Sequence, residues 1–340
     1  MSAGSVHVPV MYREVMQYLQ LTEGLIVVDG TVGAAGHSVR IRDAIGSSGH
    51  LIALDRDPMM LRLAAERLAA ERLAAERLAA ERLAAERPAQ ERPAPERPDT
   101  YPLSTERPAE DNRSNVTLVN AAYTSAESVV TELGYEKVDR VLLDLGLSSD
   151  QLADSRRGFG FDAGGPLDMR FNPSEGISAA QWLNEAQESD IERVLVEFGE
   201  QPSARRIAAE ICRRRYRSSL KTTEDLEACV RAVLPNRPGN TTGRNPATQV
   251  FQALRIHVNR ELDHVRQAVS QTLPAILKPG GIAVVLTFHS LEDRIVKSAF
   301  KEESAWQILT KTPVKPTPAE VRINPRSRSA KLRAAERRTE

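Results

Sequence analysis

Residues 25–57 read LIVVDGTVGAAGHSVRIRDAIGSSGHLIALDRD, an apolar run that empties into a glycine-rich turn, then a second apolar run that ends on an acid. Gly30, Gly33 and Gly36 remove side chains where the backbone has to come close to a ligand at the mouth of the next helix. Asp55, at the tip of the second run, is positioned for ribose hydroxyls. The stretch outlines a site for a nucleoside-bearing cofactor. Alone, it leaves a dinucleotide and a nucleoside-based methyl donor both open.

Outward from this turn, short apolar runs alternate with helical stretches, the α/β pattern of a mostly parallel sheet covered by helices. The predicted strands are 25–29, 51–55, 116–120, 140–145 and 282–288. Ligands of such sheets sit at the carboxyl ends of the strands, which gathers Asp29, Asp55, Asp144 and the turn Thr287-Phe288-His289 around one site. After Gln151 the strand pattern stops, and helices are predicted at 179–188, 190–198, 204–216 and 223–234. Two of them open on the caps Ser189-Asp190 and Thr222-Thr223. The sheet pattern resumes with one long helix over 248–277 and the turn Leu277-Lys278-Pro279-Gly280-Gly281.

Between the second and third strands the pentapeptide LAAER repeats over 63–87 and gives way to Glu-Arg-Pro repeats ending near Pro108. A five-residue period turns successive leucines by roughly 140° around a helix, so they form no apolar stripe. The composition predicts a solvated helix followed by an extended, disordered proline-rich half, a tolerated expansion in a surface connection. The resulting division is a sheet domain in two parts (1–62 with 116–151, and 245–320), the repeat insertion (63–115), a small helical domain (152–244) and a basic tail (321–340).

Composition sets the remaining bounds. The chain has 340 residues, with 46 basic and 46 acidic side chains, so no global charge points to a nucleic acid or a membrane. Cys212 and Cys229 are too few for a disulfide framework and fit a reducing cytoplasm. No apolar run approaches membrane-spanning length, which predicts a soluble protein. The six histidines show no close ligand spacing, so no metal site is expected. The sequence leaves the oligomeric state open, a homodimer included.

Several long motifs occur in a fixed order: His7-Val8-Pro9-Val10, the turn 29–38, Ala53-Leu54-Asp55-Arg56-Asp57-Pro58, Leu142-Leu143-Asp144-Leu145-Gly146-Leu147-Ser148-Ser149, and Gly165-Pro166-Leu167-Asp168-Met169-Arg170. Further on come Phe251-Gln252-Ala253-Leu254-Arg255, Phe288-His289-Ser290-Leu291-Glu292-Asp293-Arg294 and Asn324-Pro325-Arg326-Ser327-Arg328-Ser329. In these the chain resembles the bacterial 16S ribosomal RNA cytosine-N4 methyltransferases of the MraW type. The resemblance implies a class I S-adenosylmethionine-dependent methyltransferase fold with an inserted helical domain. It also implies 16S rRNA of the small ribosomal subunit as partner, with a decoding-centre cytidine at the P site as acceptor. Cofactor contacts implied by it are Ala35, Gly36, His37 through its backbone amide, Asp55, Tyr123, Asp144 and Gln151. Two departures stand out. Ala35-Gly36 replaces a usual pair of glycines, harmless if Ala35 has negative φ, and Tyr123 replaces a common Phe while keeping a ring for an adenine.

The chemistry asks for alignment of donor sulfur, methyl carbon and acceptor nitrogen. It also asks for a hydrogen-bond acceptor on the amine protons, because the cytosine amine lone pair is delocalised into the ring. Asp144 at a strand end suits that role or a contact to the donor, with Ser148 and Ser149 as further polar groups. For RNA, the basic helix carrying Arg205, Arg206, Arg213, Arg214, Arg215 and Arg217 and the tail 322–338 are the expected phosphate contacts. Phe159 and Phe161, with Met169, are the expected stacking groups for a flipped base. A noncatalytic rRNA-binding or assembly factor is the alternative class. A NAD-dependent oxidoreductase fits less well, since here glycine recurs at every third position and the Leu-Lys-Pro-Gly-Gly turn suits a methyltransferase better.

Overall fold

The computed structural model describes residues 9–86, 115–160, 164–234, 247–302 and 304–339. Phe161 and the proline-rich half of the insertion lie outside them. Five strands run parallel: β1 (Ile26–Asp29), β2 (His50–Asp55), β3 (Val116–Asn120), β4 (Val138–Asp144) and β5 (Leu277–Thr287). With β6 (Trp306–Ile308) and β7 (Lys331–Arg337) the order is β3-β2-β1-β4-β5-β7-β6, and β7 is antiparallel to both its neighbours.

Successive strand residues face opposite sides of the sheet, and both sides are covered, which is why the strands read as unbroken apolar runs. Val28, Ile52, Val141 and Val285 pack under α4 (Ala126–Glu132), α11 (Glu261–Gln267), α12 (Leu273–Ile276) and α13 (Ser290–Glu302). Val27, Leu51, Leu142 and Val284 pack under α1 (Tyr12–Leu19), α2 (Gly36–Ile45) and the start of α3 (Pro58–Glu86). A separate core unites α6 (Ala179–Glu185), α7 (Glu188–Glu197), α8 (Ala204–Arg215), α9 (Thr223–Val233) and α10 (Ala247–Asn259) through Leu183, Leu195, Ile211, Val230 and Leu254. The short α5 (Ser149–Ala153) leads from β4 towards that unit, and α14 (Pro318–Ile323) precedes β7.

Four expectations change. The helix predicted over 248–277 is broken: Arg260 takes φ 50°, ending α10 and starting α11, and the Asn259 side chain is spent on Met169 O, Phe171 N and Arg56. Thr222 caps α9 in a box with Asp225, but Ser189 caps nothing. Gln187 occupies the N-cap of α7, and the serine cap belongs to α6, from Ser178. Lys278-Pro279-Gly280-Gly281 lies inside β5 as a bulge, since Val138 pairs with Leu277 and Arg140 with Ile282. Finally, the first two pentapeptides are not fully solvated: Ala64 and Leu68 are buried against α2, and solvent exposure begins at Leu73.

The basic tail is also corrected. Residues 331–337 form a central strand, with Ala334 and Ala335 in the core. Arg333 is buried on Asp293 at 2.6 Å, beside Lys331 on the same carboxylate at 3.0 Å, and Arg337 and Arg338 donate to backbone carbonyls. The side chains from Leu332 to Ala335 are all buried, so the cation among them, Arg333, is structural.

Candidate functional site

The order of strands reverses between β1 and β4, and at their carboxyl ends lies a cavity of about 540 Å³. That size and place suit a nucleoside-bearing ligand. Gly30 and Gly33 shape the wall for different reasons. A side chain on Gly30 would lie 2.5 Å from Leu143 and 2.8 Å from Tyr123, so strand and ring close directly on the backbone. Gly33 needs its left-handed φ of 51° to turn the chain towards α2. Ala35 also has positive φ, 60°, contrary to the condition under which alanine costs nothing, and is fully buried. The strain is intrinsic to this turn.

The carboxylates are tied into the turn. Asp55 accepts from Gly33 N at 3.0 Å and Asp57 N at 2.9 Å, and Asp29 accepts from Ser38 Oγ at 2.5 Å and Thr31 N at 3.2 Å. Burial raises Asp29 from 3.8 to about 6. Burial, with Asp57 and Asp29 nearby, raises Asp55 to about 7. Burial, with Asp29 and Glu292, raises Asp144 to about 8. Burial lowers His37 to about 4, so the ring is neutral. Burial is the first cause of all three raised values, and the same lining also carries Arg56, Arg67 and Arg255.

Asp144 Oδ1 in this wall is buried without a hydrogen-bond partner among the described residues, and the His37 ring stands beside it, with Nε2 3.6 Å from Asp144 Oδ2. A buried polar atom without a partner is costly, and a ligand that supplies a donor there would recover the loss. The cavity thus fits the implied cofactor by size and by unfilled hydrogen-bonding capacity.

Of the expected contacts, Gly36, His37, Asp55, Tyr123, Asp144, Ser148, Ser149 and Gln151 line this cavity. Ala35 is behind the wall as the N-cap of α2. Gln151 and Ser148 form a capping box on α5; the Gln151 amide also donates to Asp57 at 2.8 Å, and the Ser148 hydroxyl to the sulfur of Met60. Their polar atoms hold the turn after β4 in place, whereas Asp144 Oδ1 is left without a partner among the described residues. The Tyr123 ring meets His264 edge-on, and burial keeps its hydroxyl protonated.

The aromatic and basic expectations are redistributed. Phe159 and Met169 are core residues of the helical unit, away from the cavity; Phe171, packed on Phe159, lines it instead with the Arg56 guanidinium over its ring at 4.8 Å. In α8, Arg213 and Arg214 pair with Glu210, Arg206 donates to Val233 O and Arg215 to Leu183 O. Arg205 stays exposed at the start of α8, and Arg217 stays exposed just beyond its end, next to Tyr216, which is 93% exposed. No α8 residue lines the cavity.

Sequence reasoning placed the Phe288-His289 turn at the site, where both residues line the cavity, but missed the acids beside it, Glu261 and Glu292. Glu292 Oε2 accepts from Phe288 N at 2.8 Å, and the His289 ring lies 3.1 Å from Oε1. The backbone and His289 hydrogen bonds and Arg255 hold Glu292 low against its burial. Glu261 is clasped through both oxygens by Arg255, at 2.8 and 3.0 Å. Glu261, His289 and Glu292 bring ligand-type atoms within 4.8 Å of one another, but the arginine and the backbone N–H groups already satisfy these carboxylates. Their signal was the motif from Phe288 to Arg294 and the Arg255–Glu261 spacing, legible only once the helix break at Arg260 is known.

A parallel sheet of order 3-2-1-4-5-7-6 with an antiparallel seventh strand, carrying a nucleoside-sized cavity at its switch point, defines a class I methyltransferase. The methyl donor of this class is S-adenosylmethionine. The chain belongs to the MraW methylase family, whose model matches residues 4–85 and 102–338. It is similar to the Ribosomal RNA small subunit methyltransferase H of Thermotoga neapolitana, 39% identical over 331 residues, covering 97% of this chain and 95% of the relative. The proteins of the same name from Koribacter versatilis (38%, covering 98% and 94%) and Heliobacterium mobile (38%, covering 97% and 98%) match equally broadly. No helix among the described residues is long and apolar enough to cross a membrane.

Proposed function

We propose that this protein methylates the exocyclic N4 of one cytidine in 16S rRNA, at the P site of the decoding centre of the small ribosomal subunit, in the cytoplasm, and so tunes decoding fidelity. The names of its full-length relatives support small-subunit rRNA as substrate. The resemblance to the cytosine-N4 methyltransferases supports the base and the position. The single observation carrying the chemistry is the buried, unpartnered Oδ1 of Asp144 at the switch point.

Bound S-adenosylmethionine supplies an electrophilic methyl group. Asp55 takes the ribose hydroxyls with the lone pairs left by Gly33 N and Asp57 N, and Tyr123 packs on the adenine. Asp144 accepts a hydrogen bond from the target amine, pulling electron density back onto nitrogen and fixing its line of approach. Thr31 Oγ1 accepts from Asp144 N at 2.6 Å and holds that strand end in place. The exposed Arg205 of α8, with Tyr216 and Arg217 just beyond its end, offers charge and a ring to RNA outside the cavity.

The test is transfer of labelled methyl from S-adenosylmethionine to small subunits lacking the modification, read by nucleoside mass spectrometry. The expected product is N4-methylcytidine. A labelled nucleoside of any other kind would overturn the assignment, and RNA binding without transfer would favour a noncatalytic factor.

A further inference from the structure

Four guanidinium groups line the cavity, those of Arg56, Arg67, Arg255 and Arg326. Three are occupied. Arg56 donates to the backbone and side-chain oxygens of Asn259 at 2.9–3.1 Å, Arg67 to Ala34 O at 3.3 Å, and Arg255 to both oxygens of Glu261. Arg326 has no side-chain partner among the described residues.

It is nonetheless rigidly mounted. The turn Pro325–Ser329 is fastened by Ser327 N and Oγ on Asn324 O, at 3.0 and 2.8 Å, and by Ala330 N on Ser327 O at 2.8 Å, and it runs directly into the central strand β7. Arg326 is exposed yet borders the cavity, so it stands at the mouth, with Asn324 and Ser329 beside it. The site is polarised: the inner wall carries Asp29, Asp55 and Asp144, and the rim carries a free cation. A base that reaches Asp144 brings a phosphodiester to that rim, because sugar and phosphate are too polar and too bulky to follow it in. A guanidinium fork carried on a firmly held turn is suited to such a phosphate.

We infer that Arg326 grips the phosphodiester of the nucleotide whose base enters the cavity, as a positioning residue for methyl transfer. The inference rests on the RNA-methylating function proposed above. It is tested with full-length Arg326→Gln and Arg326→Lys, by steady-state kinetics on small subunits, calorimetry with S-adenosylmethionine, and the salt dependence of RNA affinity. Arg326→Gln is expected to lose about 10- to 100-fold in kcat/KM, chiefly through KM. The slope of log affinity against log salt should shrink by about one. Arg326→Lys should keep the wild-type slope, and the affinity of both variants for S-adenosylmethionine should stay unchanged. A loss of S-adenosylmethionine affinity would assign Arg326 to the donor's carboxylate instead, and an unchanged salt slope in Arg326→Gln would also overturn the proposal. Wild-type protein that transfers methyl to no RNA would remove the underlying function, and this inference with it.

Discussion

Asp144 carries the chemistry proposed for this protein, and its environment fixes how it responds to pH. Its folded-state value of about 8 lies above the unfolded 3.8, so folding favours the protonated form. That contribution to stability is complete below about pH 3.8 and is lost as pH rises through about 8. Asp144→Asn never suffers the loss. Its Tm, measured calorimetrically against wild type, is expected to be near equal at about pH 4 and higher at about pH 9. The same substitution replaces the carboxylate by a neutral amide, a weaker acceptor for the amine proton, and should lower kcat on the order of 10²-fold or more. Wild-type kcat should in turn rise with pH over a range displaced above that of an ordinary carboxylate. Ala35 is the other residue with a definite prediction. Its left-handed backbone costs about 1–2 kcal/mol. Glycine would relieve that but lose a buried methyl worth about 0.8 kcal/mol and gain unfolded-state freedom worth about 0.4–1 kcal/mol. Denaturant melts of Ala35→Gly should therefore lie within about 1 kcal/mol of wild type, whereas Ala35→Val, β-branched at positive φ, should destabilise by about 2 kcal/mol or more.

At the scale of elements, identical sequence meets different fates. Leu68 and Leu73 sit at the same place in consecutive pentapeptides of α3, but Leu68 is 8% exposed against α2 and Leu73 is 51% exposed. Leu68→Ala is expected to cost about 2–3 kcal/mol and Leu73→Ala less than about 0.5 kcal/mol, read by urea unfolding. The strands β1 to β5 and the four helices of the inserted unit were legible because their apolar periodicity or caps are local. Two elements were not. β7 looked like a nucleic-acid-binding tail because its arginines and lysine are as many as its apolar residues, and their partners Asp293 and the carbonyl of Ala305 are distant in sequence. The break at Arg260 was invisible because α10 and α11 are both amphipathic; Asn259 ends the first by bonding across to residues 169–171.

For the molecule as a whole, three cores leave one cavity where the sheet's switch point meets the helical unit, and its wall draws on both. Gln252 and Phe171 come from the helical side, Asp55 and Asp144 from the sheet. A ligand there clamps the two together and stabilises the fold by mass action. S-adenosylmethionine at about a hundred times its Kd should add about 2.7 kcal/mol and raise Tm by several degrees. NAD at the same concentration should leave Tm unchanged, because the chain belongs to a methylase family. A Tm raised by NAD would contradict the assignment of the cavity to S-adenosylmethionine.

The order of strands and helices, the glycine turn, and the acids at three strand tips were all determined by the sequence alone, because each is written in neighbouring residues. Which polar groups are already spent was decided only by the tertiary structure. Gln151, Ser148 and most of the α8 arginines find partners within the fold, Phe159 sinks into a core, and Asp144 and Arg326 are left with unused capacity at opposite ends of one cavity. The reason is physical: a hydrogen bond or ion pair is settled by which distant groups packing brings within about 3 Å, and no local pattern encodes that.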